Sequence, residues 1–463
     1  MLTSAPDEGV QAYRIRRLAN LPLPANEKRP VETDMSTIAR LQMGLAALLA
    51  SLGVIAVAGV PCAQAQDTNT NWIRWPGQSY PSSDQPSYDR QQMKDWESQP
   101  PKGFATLSSE NLNAMKAAIK RYQDVVAQGG FPQVPDGQGN MTLGLLSPTV
   151  AIVKRRLSMS GDLRPGEDDG SANFDYALEK GIKRFQASNG LTPTGVIDKR
   201  TVAALNVPAQ ARLKQLQTNL ARLTDLTRGL PKKYILVNIP SQQIEAVEGN
   251  EVYSRHSGVV GKTDRQTPVL RSSIHQLNFN PVWHLPPTVI SQDLIPKGID
   301  MQRRGQDVLA KFGIEAFNGE GRKLDTSKIN WTTAAGYSFK QQPGPENPLG
   351  FVKLNFPNSH STYMHSTPSD NLFGRNFRAA SSGCVRVSGI ENLVEWILRD
   401  QGGWPQERIL GMKKSGERLD VTLKKPMPLY WAYITAWATA DGVIQFRRDL
   451  YDKDGVGAVA AAY

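Results

Sequence analysis

The stretch YMHSTPSDNLFGRNFRAASSGCVRV, residues 363–387, carries the reading that decides the fold. A short strand over 361–364 ends at His365, and a polar loop then returns to Cys384, 19 residues on. Such a loop can bring imidazole and thiol within hydrogen-bond reach. The chain has only two cysteines, and Cys62 lies in an export signal. An exported protein usually pairs or avoids its thiols, so one kept behind Gly383 and two residues before Arg386 reads as a nucleophile. The bland alternative is a buried, inert cysteine.

The compartment follows from the start of the chain. From Met35 the order is a basic residue, an apolar run over 43–60, then Ala63-Gln64-Ala65, as in a secretory signal cleaved after Ala65. The run is close to bilayer length, so an uncleaved inner-membrane anchor is the other reading. Either way residues 66–463 are expected outside the cytoplasm, in the periplasm. The formal net charge is +11, and +10 without residues 1–65, which hold six Lys/Arg and five Asp/Glu. Basicity in that compartment points to an anionic wall polymer or lipid. No Lys/Arg block with interleaved aromatics supports nucleic acid.

Working outward, residues 66–103 read as a flexible lead-in. Residues 104–146 read as a helical scaffold segment ending in the extended link FPQVP at 131–135. Three helices are expected over 147–207, near 149–159, over 174–188 and from an Asp198 N-cap. A connecting helix is expected over 208–233. From Tyr234 the period changes to two around a Gly249-Asn250 turn, giving a mainly β domain over 234–425 with further strands near 272–278 and 351–355. Within it, residues 288–347 are polar, rich in Gly and Pro and partly helical, an insertion of the kind that is either disordered or a lid. A helix over 390–400 follows the cysteine, and 426–463 reads as a packing segment and tail.

Two resemblances sharpen this. IKRFQASNGLTPTGVIDKRTVAALN, residues 182–206, resembles the peptidoglycan-binding module of wall enzymes, although a generic three-helix spacer has the same outline. The 363–387 stretch is similar to the active-site signature of the L,D-transpeptidases, in which His precedes a Ser-x-Gly-Cys run followed by Arg. NPVWHLPPTVISQDLIPKG at 280–298 and the 329–358 segment are similar to the large-lid subgroup of that family. Many members have His between the serine and the glycine; here Ser382 stands there, as in that subgroup. The resemblance implies an α+β chain: a mainly β catalytic domain with a lid insertion, plus a small three-helix peptidoglycan-binding domain.

It also implies roles. Cys384 falls on the nucleophile, His365 on the general acid/base, Ser366 on the residue whose backbone orients the imidazole, and Gly383 on the oxyanion-hole backbone. Arg386, Tyr363, Ser382 and Trp283 become candidates for substrate contact; for Arg386 a partnerless surface position, and for the aromatics core packing, are the plain alternatives. The implied reaction needs no cofactor or metal. It removes the terminal D-Ala of a tetrapeptide stem through a Cys384 thioester and passes the acyl group to an amine of another stem, giving a 3-3 cross-link. Carboxypeptidase action and D-amino-acid exchange share that acyl-enzyme, and carbapenems are the expected inhibitors. The partners implied are peptidoglycan stem peptides and glycan; the oligomeric state is open.

Three other classes are compatible with parts of the chain. A sortase uses His, Cys and Arg, but with its histidine much farther upstream. A zinc amidase would suit the helical module, with His360, His365 and Asp370 as ligands, yet no HExxH or CxxC spacing occurs. A non-catalytic wall-binding protein would not need Cys384 and His365 together.

Overall fold

The computed structural model describes residues 104–457, so the expected export signal, Cys62 and the expected lead-in lie outside the described residues. Among the described residues no helix is long and apolar enough to cross a membrane.

The three helices of the small domain are Pro148–Ser160, Tyr176–Ser188 and Lys199–Leu205. Ser147, Asp175 and Asp198 cap them, each side chain accepting a main-chain N–H of the first turn. The second helix starts two residues later than its periodicity predicts, because Asp175 takes the extended capping conformation and Phe174 drops fully into the core. Val150, Val153, Leu157, Leu178, Ile182 and Phe185 complete that core. The domain is tied to its neighbours by arginines. The Arg156 guanidinium lies 3.4 Å from the Phe131 ring centre, held there by its Nε donating to the Leu205 carbonyl of its own domain at 2.9 Å. Arg212 donates to Asn189 Oδ1, and Arg447 to the Ser188 carbonyl, each at 2.9 Å.

Helices Ser109–Ala127 and Ala209–Leu226 pack together. They share a core with the hairpin of β13 (Ala436–Ala438) and β14 (Ile444–Phe446), through Met115, Tyr122, Leu216, Leu223, Trp437 and Phe446.

The large sheet contains β1 (Lys233–Asn238), β2 (Gln243–Glu248), β3 (Glu251–Gly261), β4 (Leu270–Phe279), β8 (Val352–Asn355), β9 (Met364–His365), β10 (Ala379–Ser381), β11 (Val385–Val387) and β12 (Leu419–Ala432). Their order is β10-β3-β11-β9-β8-β4-β12-β1-β2, and β2 also pairs with β3. The strand expected over 361–364 is only the two residues of β9. The boundary expected at 425/426 falls inside β12, which pairs with β4 on one side and β1 on the other. Its 14 residues belong to the sheet rather than to a separate terminal segment.

Strand alternation gives the sheet two chemically different faces. Leu277, Val352, Leu354, Met364, Val385 and Val387 point into a core closed by the helix Ile390–Leu398, whose Leu393, Trp396 and Ile397 are buried there. The residues between them (Asn278, Lys353, His365 and Arg386) are direct cross-strand neighbours and share the opposite face.

The insertion has a core of its own, and that core reaches beyond the expected 288–347. It runs from Trp283 to Leu349 and includes Leu294, Met301, Leu309, Phe312, Trp331 and Phe339. A small sheet of β5 (Trp283–His284), β6 (Ile314–Phe317) and β7 (Ser338–Gln341) frames it. A helical run over 287–303 crosses it, with a π-turn at Ile290–Leu294. Gly298 lies flat against Trp331, where an added Cβ would stand 2.3 Å from the indole. Gly298→Ala should therefore destabilise the insertion by about 1–3 kcal/mol, the usual range for overpacking. The check is limited proteolysis: cleavage within 283–349 should accelerate while the large sheet stays protected.

Candidate active site

Cys384 lies one residue before β11, and its side chain emerges on the polar face of the sheet. The register of β11 on β9 sets His365 opposite Arg386 and Met364 opposite Val385. Val385 N–H donates to the Tyr363 carbonyl at 3.1 Å. Tyr363 is thus the immediate neighbour of Cys384 across the strands, and His365 follows it on the same face.

The turn before the thiol is built from the inside. Ser381 Oγ accepts the Gly383 N–H at 3.2 Å and donates to the Cys384 carbonyl at 2.5 Å. Gly383 has φ +107°, and an added Cβ would lie 3.3 Å from Thr362 and 3.4 Å from the Gln266 carbonyl. Only glycine fits both the angle and the space. Its N–H is committed to Ser381, so the expected oxyanion role does not fit Gly383; its contribution is the turn. Thr267 Oγ1 donates to the Gly383 carbonyl at 2.9 Å, which fastens the turn to the loop after β3.

His365 is buried, and its Nδ1 meets the Ser366 carbonyl at 2.6 Å. A carbonyl can only accept, so Nδ1 donates to it, and the Pro348 carbonyl is a second backbone acceptor at the ring. Ser366 is itself pinned. Its Oγ accepts the Val352 N–H and donates to the Leu349 carbonyl, both at 3.0 Å, and its N–H donates to the Val352 carbonyl.

Burial holds the His365 pKa down at about 3, with the Arg386 charge adding to the effect and the Ser366 carbonyl opposing it. Burial also pushes the Cys384 thiol up, against the pull of the Tyr363 N–H, the Lys353 charge, the Tyr363 hydroxyl and Arg386. At neutral pH the pair rests as thiol and neutral imidazole. The hydrogen bonds that weigh on the sulfur come from Tyr363, not from His365. Tyr363 also bonds Trp283, and its ring stands edge-on to His365 at 5.7 Å. Tyr363 packs against both the sheet core and the lid core, and Trp283 belongs to the latter.

The remaining candidates separate clearly. Arg386 is 2 % exposed, which rules out the surface reading and leaves it as a buried charge beside His365. Ser382 turns to the loop after β3, its Oγ accepting from Arg265 Nη1 at 2.9 Å. His275, His284 and His360 are exposed, and His256 is buried between Ser254 and the Ser388 carbonyl. Asp370 is exposed, and among the described residues no three His, Cys, Asp or Glu side chains converge as metal ligands do.

Sequence reasoning missed three residues. Lys353 is the cross-strand neighbour of His365, with its Nζ 4.2 Å from the Tyr363 ring centre. Its position as the one charge in FVKLNF was a usable signal. Arg265 and Asp293 form a buried ion pair between the loop after β3 and the lid, which no local pattern announces.

Residues 232–413 match the L,D-transpeptidase catalytic domain family (YkuD). Residues 147–205 match a family described as "Putative peptidoglycan binding domain". A Haemophilus influenzae protein named "Putative L,D-transpeptidase" is 29 % identical over 223 residues, covering 48 % of this chain and 44 % of that relative. The chain thus matches less than half the length of that relative. An L,D-transpeptidase structure from Xylanimonas cellulosilytica aligns at 15 % identity and TM-score 0.21, over 64 % of this chain and all of the other. One from Stackebrandtia nassauensis aligns at 13 % and 0.24, over 65 % and 96 %. The assignment rests on the domain match: the chain carries an L,D-transpeptidase catalytic domain, with a peptidoglycan-binding domain ahead of it.

Proposed function

We propose that the chain is a cysteine-dependent L,D-transpeptidase that acts on peptidoglycan in the periplasm and forms 3-3 cross-links. The observation that carries the proposal is Cys384 emerging beside Tyr363, on the sheet face that also holds His365, Lys353 and Arg386. The Cys384 proton passes to His365 as the sulfur attacks the carbonyl of the stem's third residue, a diamino acid. Tyr363, through its N–H and O–H, and Lys353 stabilise the sulfur's negative charge as it forms. The oxyanion falls to the Cys384 N–H, since that of Gly383 is committed.

Collapse breaks the C–N bond, the D-Ala amine leaves with the proton held by His365, and a thioester remains. A side-chain amine of a second stem then attacks, His365 takes the amine proton, and the Cys384 thiolate leaves and is reprotonated. Hydrolysis or D-amino-acid exchange would differ only in the acceptor. The neutral resting pair suits this order, because charge appears only once substrate covers the site.

Cys384→Ala should abolish turnover of tetrapeptide muropeptides, read by mass, while keeping the fold. His365→Ala should slow acylation by about 10²–10⁴-fold. Cross-linking retained by the first variant would remove the mechanism, and a silent His365→Ala would remove the base.

Because the thiol is raised and His365 sits at about 3, iodoacetamide should alkylate Cys384 at a rate that climbs steadily with pH through neutrality. A plateau below pH 7 would instead indicate a thiolate–imidazolium pair. Tyr363→Phe should slow alkylation at pH 8 by about fivefold, the loss of one hydrogen bond of about 1 kcal/mol.

A carbapenem carbonyl should acylate the same thiol with opening of the lactam ring, adding the whole drug mass. The adduct should vanish in Cys384→Ser and after prior alkylation; its survival would move the nucleophile to another residue.

A further inference from the structure

The lid has its own core and small sheet, and besides the apolar contact at Tyr363 a polar tie registers it against the nucleophile turn. One arginine does this across three segments. Arg265, on the loop after β3, makes a two-pronged ion pair with Asp293, Nη1 to Oδ2 at 2.5 Å and Nη2 to Oδ1 at 3.1 Å. The same Nη1 donates to Ser382 Oγ at 2.9 Å, two residues before the thiol. The side chains are 9 % and 5 % exposed, so neither charge can easily turn to water without the lid moving.

Asp293 lies in the π-turn Ile290–Leu294, an irregularity that in helices often marks a functional position. The loop that carries Arg265 also grips the nucleophile turn directly. Lys262 N–H donates to the Ser381 carbonyl at 3.0 Å, and Thr267 Oγ1 to the Gly383 carbonyl. Removing Asp293 would leave the buried guanidinium with only the exposed Asp264 carboxylate, 4.0 Å from its Nε, as a counter-ion. The lid and the nucleophile turn are thus both fastened to one short segment, residues 262–267.

We propose that Arg265 is a positioning residue that latches the lid to the nucleophile turn, so that Cys384 is held in attacking geometry only while the lid is seated on Asp293. The consequence for the chemistry rests on the transpeptidase reading above. A thioester formed under a latched lid is shielded from water, and an amine acceptor prevails. An unlatched lid exposes it. The forked geometry matters, since lysine cannot reach both Asp293 oxygens and Ser382 at once.

The full chain tests this with Asp293→Asn, Arg265→Lys, Ser382→Ala and the Asp293→Asn/Ser382→Ala double variant. The first readout is the rate of Cys384 labelling by a bulky polyethylene-glycol maleimide divided by that of iodoacetamide, which cancels intrinsic thiol reactivity. Asp293→Asn should raise that ratio tenfold or more and Arg265→Lys about threefold. The second is the hydrolysed share of product, which should rise at least threefold in Asp293→Asn. The double variant should match the worse single within twofold, because both changes act through one guanidinium.

An unchanged labelling ratio in folded Asp293→Asn, or effects that multiply in the double variant, would overturn the latch. If Asp293→Asn does not fold, the Arg265→Lys ratio decides alone. A labelling shift in a protein that forms no thioester would leave the latch standing and remove the transpeptidase reading instead.

Discussion

The pairing of β11 with β9 and of β9 with β8 constrains everything at the site. Three short strands, one of them two residues long, set Lys353, His365 and Arg386 in a row across the sheet. Their alternates Leu354, Met364 and Val385 are fully buried on the other side. A slip of one residue would turn the polar row into the core and the apolar row outward, at a cost of several buried side chains. The apolar face thus fixes the polar one. The helix Ile390–Leu398 that follows the cysteine covers that apolar face, so the segment that carries Cys384 also secures its register.

The electrostatics follow from this placement. A row of lysine, imidazole and guanidinium on a partly covered face penalises further positive charge, and burial adds to the penalty. Imidazole therefore stays neutral, with its proton on Nδ1 through the Ser366 carbonyl. The same burial raises the thiol, while the surrounding cations and the Tyr363 donors would stabilise a thiolate once formed. The arrangement thus disfavours positive charge on the imidazole and favours negative charge on the sulfur.

The 283–349 insertion connects to this face through different chemistry. Apolar contact joins it at Tyr363, which packs against both cores, and the Arg265–Asp293 ion pair joins it to the loop after β3. Apolar packing is tolerant of small shifts, whereas a forked guanidinium is not. Tyr363 connects the layers, reaching Trp283 in the lid and the sulfur of Cys384.

The sequence by itself determined the parts whose signal is local. The 3.6-residue period and the Asp198 cap marked the three helices of the small domain, since such signals lie within the segment itself, while the Asp175 cap that sets the start of the second helix was not read. The period of two marked the β2–β3 hairpin, because its Gly249-Asn250 turn is contiguous. The His365 to Cys384 spacing, with the neighbouring glycine and serine, nominated a histidine–thiol pair through its resemblance to a family signature. Only the tertiary structure decided the rest. It showed that Arg386 is buried, that the Gly383 N–H belongs to Ser381, that Lys353 stands beside His365, and that β12 is a sheet strand rather than the start of a tail. It also joined Arg265 to Asp293 and Ser382, which lie 28 and 117 residues away along the chain. Contacts at such separations leave no mark in local periodicity, because each partner only has to be polar in its own segment, and burial alone makes the pairing specific.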